Sequence, residues 1–404
     1  MAEHGTNFEV TIEKLVYGGD GLARRDGQVI FTPYVLPGER AAVETVREKP
    51  GMLWTRPVEI LEPSAERVPP PCPYFGRCGG CHYQHAAYPD QLRAKREILV
   101  EMLRRVGKIE PPGEIATVAG DPWQYRNRAQ FHIAGGRIGY LEARSHALCP
   151  VETCPISSPK INETLATLVD MVRDRRWPAF LRSLEVFTNE ADVQLNVLET
   201  DRPVARRFFD WCAERIPGLV SGALEYAVGG VRYRVSSGSF FQVNRFLASR
   251  LVESALDVAA GTTALDLYAG VGFFSIPLAS RFGEVTAVES GAGAVRDMRW
   301  SAEQAGTTLA AVQASAADYL ARLDRTPDFV LLDPPRAGIG KEIVRRIVEL
   351  KPPSIVIVSC DPSTLARDLA GLLAGGYRLQ QLTLVDLFPQ TYHLETVAKL
   401  AACV

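Results

Sequence analysis

The chain has 404 residues, of which 47% are hydrophobic and 23% are charged. This length predicts two to three domains, and the hydrophobic content is sufficient for packed cores. No stretch approaches about 18 uncharged apolar residues, and the amino-terminal segment lacks a signal-peptide core, so we expect a cytoplasmic protein that has no membrane segment. The formal net charge is −2. Any electrostatic surface for nucleic acid must therefore be local.

Short alternating strands around glycine turns fill residues 6–62, a pattern typical of a small β-barrel. The proline-rich segment EPSAERVPPPCP ends this pattern, because successive prolines cannot continue a sheet ladder. We expect a mixed α/β region over residues 72–235, in which SLEVFTNEADVQLNVLE predicts a β-hairpin. A third domain is predicted over residues 236–404.

Four cysteines in the first 150 residues have the spacing of a metal site. Cys72, Cys78 and Cys81 form a C-x5-C-x2-C pattern, and Cys149 follows in ALCPVETCPI. In a cytosolic protein such clustering indicates metal binding rather than disulfides. Four thiolates suit either zinc or an iron–sulfur cluster. Zinc ribbons usually pair two CxxC motifs, and only one is present here.

Two basic segments are candidates for contact with RNA. QLRAKREILVEMLRRVGK carries six basic residues against two acidic ones, and YRNRAQFHIAGGRIGYLEARSH carries four arginines against one acid. Such patches contact phosphates, and their aromatic residues stack on unpaired bases. The alternative for the helix predicted over residues 91–106 is an ordinary solvated face.

The segment TALDLYAGVGFFSIPLA, residues 263–279, predicts a strand, a glycine turn with Gly270 and Gly272, and a helix. The next apolar strand ends in Glu289, at the offset where an acid meets a ribose diol. Asp266 precedes the glycines, and Phe273 and Phe274 interrupt the GxGxxG pattern. These features favour S-adenosylmethionine over a dinucleotide. The alternative is a glycine turn that only packs a helix on a strand.

Strands and helices continue to alternate to the end of the chain. The short link FPQTY predicts that the last two strands form an antiparallel hairpin on an otherwise parallel sheet, the seven-stranded methyltransferase arrangement. Asp333, Cys360, His393 and Glu395 then fall near the same sheet edge as the two glycines. Ligands of open α/β sheets bind at this edge, so Cys360 is a candidate nucleophile. The alternative role for Cys360 is that of a small hydrophobic residue buried in the core. For His393, the alternative is a structural residue that only packs against its neighbours.

The sequence resembles the RNA uracil-5-methyltransferase family through DLYAGVGFFS, DPPR, SCDPSTLARDL and QTYHLE, in that order. This resemblance implies that Cys360 is the nucleophile and Glu395 the base. It also implies a methyl-donor site beside the glycine turn, lined by Gln242, Tyr268, Gly270, Gly272, Glu289 and Asp333. Many members have Asn or Asp where this chain has Phe273, so one polar contact of the family lacks its counterpart.

The expected chemistry accounts for these residue types. Carbon 5 of uracil is too poor a nucleophile to attack a sulfonium methyl, but addition of a thiolate to carbon 6 makes an enolate that can. Removal of the carbon-5 proton by Glu395 then releases the cysteine. We expect the positive end of a helix beginning at Ser363 to favour the thiolate of Cys360.

The resemblance extends to the amino-terminal half. The spacing of Cys72, Cys78, Cys81 and Cys149, the last before Pro-Val, is similar to that of members carrying a [4Fe-4S] cluster, and residues 6–62 resemble a TRAM domain. This combination is similar to members that act on 23S ribosomal RNA. We therefore expect a monomeric 23S rRNA uridine-5-methyltransferase.

Three alternatives remain for the function. A transfer-RNA T-loop uridine is an alternative substrate, because the catalytic motifs of the two groups are the same. A second alternative is an iron–sulfur RNA-binding or redox-sensing protein without catalysis, against which the intact Cys360 and Glu395 argue. Cytosine-5 methylation is disfavoured, because it uses two active-site cysteines and the DPPR segment contains none.

Overall fold

The computed structural model describes residues 7–257 and 259–403. Their contacts define two compact units. The first contains the described residues up to Ile98 together with Tyr140–Val151 and Phe388–His393, and the second contains the remainder. Residues 6 and 404, at the outer limits of the predicted domains, lie outside the described residues. The three consecutive ranges 6–62, 72–235 and 236–404 stay a prediction.

The described residues contain 21 strands. They are β1 Asn7–Thr11, β2 Lys14–Leu15, β3 Asp20–Arg25, β4 Gln28–Pro33, β5 Arg40–Lys49, β6 Met52–Glu62, β7 Ala116–Val118, β8 Arg128–Ala134, β9 Arg137–Leu141, β10 Leu148–Pro150, β11 Leu181–Thr188, β12 Val193–Thr200, β13 Leu224–Val228, β14 Val231–Val235, β15 Thr263–Leu267, β16 Glu284–Glu289, β17 Ala310–Gln313, β18 Phe329–Leu332, β19 Ser354–Ser359, β20 Tyr377–Val385 and β21 Glu395–Ala402.

The same residues form nine α-helices, none of which is long and apolar enough to cross a membrane. They are α1 Tyr88–Met102, which continues into a π-helical turn at Leu103–Gly107, α2 Pro159–Met171, α3 Arg206–Arg215, α4 Ala248–Leu256, α5 Ser275–Ala279, α6 Ala292–Gln304, α7 Ala316–Arg322, α8 Lys341–Leu350 and α9 Pro362–Ala374.

In the first unit, β1 to β6 form one six-stranded sheet in the order β1-β5-β6-β4-β3-β2. The alternation predicted for this segment is present. In β5, Ala41 and Val43 are buried while their neighbours Arg40, Ala42 and Glu44 are only partly buried, and Ala41 and Val43 contribute to the core with Ile12, Ile30 and Leu53. One face of the sheet therefore packs inward and the other meets solvent, as is common in sheets that are mostly antiparallel; among its described strands, only β4 and β6 pair in parallel.

In the second unit, the main sheet has eight strands in the order β17-β16-β15-β18-β19-β21-β20-β7. Strands β15 to β19 pair in parallel, and β21 is antiparallel to both β19 and β20. This arrangement confirms the predicted terminal hairpin. Strand β7 adds an unpredicted eighth strand, which pairs in parallel with β20. Three residues are too few to show a strand periodicity in the sequence.

The central strands are near-continuous apolar runs because helices cover both faces of a parallel sheet. All four residues of β18 are buried, as are five of the six in β19. Helix α8 turns Ile343, Val344 and Ile347 inward. A second, antiparallel group of strands in the same unit contains β8, β11 and β12, and β11 and β12 are the predicted hairpin.

Candidate active site

Cys360 and Glu395 lie at the ends of two neighbouring strands. Ser359, the last residue of β19, pairs with Thr396 in β21. Cys360 therefore follows β19 beside Glu395, the first residue of β21. Asp333 follows β18, whose Leu332 pairs with Ile357 of β19. The sheet topology thus brings Asp333, Cys360 and Glu395 to one edge.

The glycine turn after β15 lies at the same edge. The backbone N–H of Gly270 donates to Oε2 of Glu289 at 3.0 Å, and that of Gly291 donates to Oε1 at 2.7 Å. The Glu289 carboxylate, at the end of β16, is thereby held in place. Gly272 has a φ of +86°, and a Cβ there would lie 2.8 Å from Cγ of Met298. Only glycine fits this position without displacing its neighbour.

Tyr268 is held in the left-handed region, with a φ of +64°. For a residue other than glycine, such a conformation costs of order 1–3 kcal/mol and is concentrated at functional sites. Tyr268 immediately follows the strand that carries Asp266. The strain therefore coincides with the turn that the sequence assigns to cofactor binding.

Gln242 belongs to a segment that packs against the glycine turn. The ring of Phe241 lies 5.6 Å from that of Phe273, between ring centroids, and the hydroxyl of Tyr233 donates to the carbonyl oxygen of Phe273 at 3.0 Å. Phe273, which is 6% exposed, is therefore a packing residue between the two segments. This accounts for a phenylalanine where many family members have a polar residue.

Asp297, Arg128 and Asn127 hold the Gln242 segment, although the sequence placed Arg128 only in a basic segment for contact with RNA. Asp297, which is 2% exposed, accepts hydrogen bonds from the hydroxyls of Ser236 and Ser239 at 2.7 and 2.9 Å. The guanidinium of Arg128 donates twice to the carbonyl oxygen of Ser239, each at 3.0 Å. Asn127 donates to the carbonyl oxygen of Gln242 at 3.1 Å. No local motif marks these residues, because their partners are distant in sequence.

Buried carboxyl groups crowd this edge. Burial raises the pKa of Asp266 to about 8, with further repulsion from Asp333 and Glu289. Its Oδ2 accepts from the hydroxyl of Ser275, whereas Oδ1 has no hydrogen-bond partner among the described residues. Burial also raises the pKa of Asp333, and burial together with the charge of Asp333 raises that of Glu395. A cation would be favoured beside this cluster.

Cys360 is half-buried, and its thiol is hard to ionise. Burial is the largest cause of a pKa raised to about 12, the charges of Glu395 and Asp333 raise it further, and the positive charge of Arg336 opposes them. Arg336 is the last residue of DPPR, so the motif itself contained the signal for this cation. Among these residues Arg336 is therefore the positive charge that favours the thiolate.

Helix α9 begins at Pro362, one residue before the predicted start. Oδ1 of Asp361 accepts from the backbone N–H groups of Ser363 and Thr364 at 2.9 and 3.0 Å. This N-cap places a negative charge at the positive end of the helix. The positive end of α9 was expected to favour the thiolate of Cys360, but the carboxylate of Asp361 offsets this effect.

His393 belongs to the first unit, whereas Cys360 and Glu395 belong to the second. The ring of His393 lies 4.3 Å from that of Tyr392, between centroids, and 5.7 Å from that of Phe388. His393 therefore packs within an aromatic cluster of its own unit.

The four predicted cysteine ligands all lie in the first unit. Cys78 forms a β-bridge with Glu142, and Gly79 donates to the carbonyl oxygen of Leu141 at 2.9 Å. A Cβ on Gly79 would lie 3.3 Å from that oxygen. This glycine lets the loop that carries Cys72, Cys78 and Cys81 approach the hairpin that carries Cys149.

The thiols differ in exposure, and the described cysteines form no disulfide. Cys81 and Cys149 are buried, and Cys72 and Cys78 are partly buried. Burial raises the pKa of Cys149, which Arg77 opposes. Among residues 7–257 and 259–403, no three Cys, His, Asp or Glu side chains are arranged as ligands of one ion.

The first predicted basic patch is largely engaged in ion pairs. Arg93 pairs with Asp90 at 2.6 Å, and Arg105 pairs with Glu101, one helical turn away, at 2.9 Å. Lys95 is buried and donates to the carbonyl oxygen of Phe388 at 2.9 Å. The side chains of Arg93 and Arg105 remain 45% and 70% exposed, so contact of this patch with RNA phosphates stays a prediction.

The strand order and the glycine turn define the second unit as a methyltransferase fold. The family model for tRNA (uracil-5-)-methyltransferases matches residues 218–402, and the TRAM domain model matches residues 2–53. An uncharacterized RNA methyltransferase of Aquifex aeolicus is 34% identical over 97% of this chain and 98% of its own length. One of Streptomyces avermitilis is 36% identical, covering 98% of each chain. The chain belongs to the RNA uracil-5-methyltransferase family and carries a TRAM domain.

A solved structure supports the same assignment. The tRNA (uracil-54, C5)-methyltransferase of Pyrococcus abyssi, in complex with S-adenosyl-L-homocysteine, has a TM-score of 0.78 and 26% identity, covering 98% of this chain and 100% of its own. The protein is thus an S-adenosylmethionine-dependent enzyme of this family. The predicted family, fold class and methyl donor are confirmed.

Proposed function

We propose that the protein methylates carbon 5 of a uridine in 23S ribosomal RNA through a covalent adduct between Sγ of Cys360 and carbon 6. The register of β19 and β21, which sets Cys360 beside Glu395, carries this proposal. A nucleophile and a base on adjacent strand ends can act on neighbouring atoms of one ring. The DPPR loop is tied to the same region, because the hydroxyl of Thr364 donates to the carbonyl oxygen of Arg336 at 3.2 Å.

The reaction divides into addition and elimination. The thiolate of Cys360 forms a bond to carbon 6, and the electron pair of the ring double bond moves to make carbon 5 nucleophilic. S-adenosylmethionine supplies the methyl group at this carbon. Glu395 then takes the carbon-5 proton, the double bond forms again, and the bond between Sγ and carbon 6 breaks to return the thiolate. The raised pKa of Glu395 suits a carboxylate that must accept a proton.

The chain offers a fitting site for the methyl donor. Gln242, Tyr268, Gly270, Gly272, Glu289 and Asp333 are the proposed contacts. Two backbone N–H groups orient the carboxylate of Glu289, as contact with a ribose diol requires. The unpartnered Oδ1 of Asp266 and the crowded carboxyl groups favour a ligand that carries positive charge, as the sulfonium and ammonium groups of S-adenosylmethionine do.

We further propose that Cys72, Cys78, Cys81 and Cys149 hold a [4Fe-4S] cluster. Four thiols in one unit, two of them buried, suit thiolate ligation. The close approach at Gly79 and the N–H donated by Gly80 to Sγ of Cys78 at 3.4 Å support a loop shaped around sulfur. Zinc is the alternative for the same donors. The cluster would link the loop to the hairpin and help to position RNA.

The RNA target distinguishes two versions of this function. The TRAM domain together with the cysteine pattern supports 23S ribosomal RNA, and we propose that the enzyme acts as a cytoplasmic monomer. The similarity to the tRNA enzyme of Pyrococcus abyssi is the observation that supports a T-loop uridine instead. Mass spectrometry of nucleosides from separated 23S rRNA and tRNA, in wild-type and deletion strains, tests both. Loss of 5-methyluridine from 23S rRNA alone is expected, whereas loss from tRNA alone would contradict the proposal.

Covalent trapping tests the adduct. RNA that carries 5-fluorouridine at the target should remain joined to the wild-type enzyme, because fluorine cannot leave as a proton does. Cys360→Ala should form no adduct and no product, yet retain the methyl donor. Adduct formation or turnover by this variant would show that another residue is the nucleophile.

A further inference from the structure

The first unit contains a cavity of about 530 Å³ whose function the methyl-transfer reaction does not explain. Residues of the six-stranded sheet, the cysteine loop, the hairpin after β9 and the Phe388–His393 segment line it together. Its volume lies in the range of small-ligand sites, about 300–1,000 Å³. A single nucleotide fits a space of this size.

Three partly buried aromatic rings line the cavity: Tyr34, His82 and Tyr392. The Tyr392 ring lies 4.6 Å from that of His82 and 5.5 Å from that of Tyr17, between centroids. The His82 ring also packs on the backbone of Gly19, where a Cβ would lie 3.1 Å from it. These contacts fix the orientation of the rings, as a stacking surface requires.

Charged residues also contribute to the wall of the cavity. The lining of the cavity includes Arg144, Arg56 and Asp20. Arg144 pairs with Asp20, whereas Arg56 pairs with Glu44, which lies outside the lining. The guanidinium side chains remain 52% exposed at Arg144 and 64% exposed at Arg56. Both guanidinium groups are ion-paired, yet they remain accessible to a phosphate at the cavity.

Glycines keep part of this wall free of side chains. Gly18 has a φ of +109° and Gly76 a φ of +84°, and a Cβ at either position would meet no atom within 4 Å. Each would project into empty space. Backbone rather than side chain thus forms these parts of the wall, which suits close approach by a ligand.

We propose that this cavity binds one unstacked nucleotide of the RNA substrate, with its base against the rings of Tyr392, His82 and Tyr34 and its phosphate near Arg144 and Arg56. Base stacking on aromatic residues and charge pairing with arginine are the two ways in which proteins hold unpaired RNA. The inference rests on the RNA substrate of the family. It is independent of which uridine is methylated and of the roles of Cys360 and Glu395.

Affinity measurements on the full chain test the base contact. The probe is a fluorescein-labelled 12-nucleotide oligouridylate or oligoadenylate, followed by anisotropy at fixed salt. Tyr392→Ala should weaken the binding of at least one probe between about 5-fold and 150-fold, the loss of one stacked base. Tyr392→Phe keeps the ring and should remain within about twofold. Phe209→Ala removes a ring outside the cavity lining and is the matched control. Wild-type affinity in Tyr392→Ala for both probes would overturn the proposal.

The phosphate contact has its own test. Arg144→Gln should reduce the slope of log affinity against log salt by about one, because one phosphate contact is lost. An unchanged slope would remove Arg144 from the site.

Crosslinking of the wild-type protein tests whether the cavity binds RNA, even if a variant fails to fold. An oligouridylate with 4-thiouridine at each position in turn, irradiated on the enzyme, should label peptides that contain Tyr34, His82 or Tyr392. Labels confined to other peptides would refute the cavity as an RNA site. Labelling here by an enzyme whose deletion leaves 5-methyluridine in 23S rRNA and tRNA unchanged would refute the proposed activity and leave this inference standing.

Discussion

The thiol of Cys360 should titrate far above the usual range of cysteine. Burial, aided by the charges of Glu395 and Asp333, raises its pKa from 9.0 to about 12, and Arg336 opposes the rise. Glu395→Gln removes a negative charge and should lower this pKa. Arg336→Gln removes a positive charge and should raise it. The two variants are matched, because each replaces one charged neighbour by the same neutral side chain.

The raised pKa of Cys360 predicts a slow rate of alkylation. At pH 7.5, a rise from 9.0 to about 12 reduces the thiolate fraction about 1,000-fold. Thiolate nucleophilicity increases with pKa with a Brønsted coefficient of about 0.4–0.5, which restores roughly 20-fold. Alkylation of Cys360 should therefore be about 50-fold slower than that of an ordinary exposed thiol, and should accelerate as pH rises towards 12.

Iodoacetamide labelling, followed peptide by peptide with mass spectrometry between pH 6 and pH 10, measures this rate on the enzyme without RNA or methyl donor. Exposed Cys403 provides a reference within the same chain. An apparent pKa of 9 or below for Cys360 would refute the reasoning. If Glu395→Gln and Arg336→Gln shifted the apparent pKa of Cys360 in the same direction, the charges of these two residues would not be acting on the thiol.

Three further predictions concern the base, the glycine turn and the cluster. Glu395→Gln should accumulate methylated RNA in a denaturation-resistant adduct and slow release about 10²–10⁴-fold; normal turnover without that band on a denaturing gel would exclude Glu395 as the base. Gly272→Ala should weaken the binding of S-adenosylhomocysteine measured by calorimetry, because the new Cβ would clash with Met298. Gly306 also has a positive φ, of +63°, but open space around it, so Gly306→Ala should bind normally. Equal losses in the two variants would implicate backbone strain alone. Anaerobically purified Cys81→Ala should lack the broad visible absorbance expected of the wild type, while Cys403→Ala keeps it; zinc without iron in the wild type would contradict the cluster.

The position of Cys360 beside Glu395 was predictable, because both residues lie at the ends of strands. The apolar run SIVIVS had to be a buried strand, so Cys360 had to follow it at the ligand-binding edge. The link FPQTY was too short for a crossover helix, so β21 had to run antiparallel to β20. These two constraints lead to the juxtaposition of Cys360 and Glu395.

Other features depend on partners that no local window contains. Strand β7 is three residues long and is defined only by its pairing with β20. The Phe273 ring could not be recognised as a packing residue without Phe241 and Tyr233 beside it. Asp297 carries no motif, and its importance comes from two serines about sixty residues away in the chain.

The sequence by itself determined the alternation of strands and helices from β15 onwards, the terminal hairpin, the family and the residue types at the sheet edge, because periodicity and motif spacing are properties of short segments of the chain. Only the tertiary structure decided how the charges behave. Burial and charged neighbours distant in sequence raise the pKa of Cys360 and Asp266. Ionisation depends on desolvation and on the distance between charges, and both are properties of the folded chain.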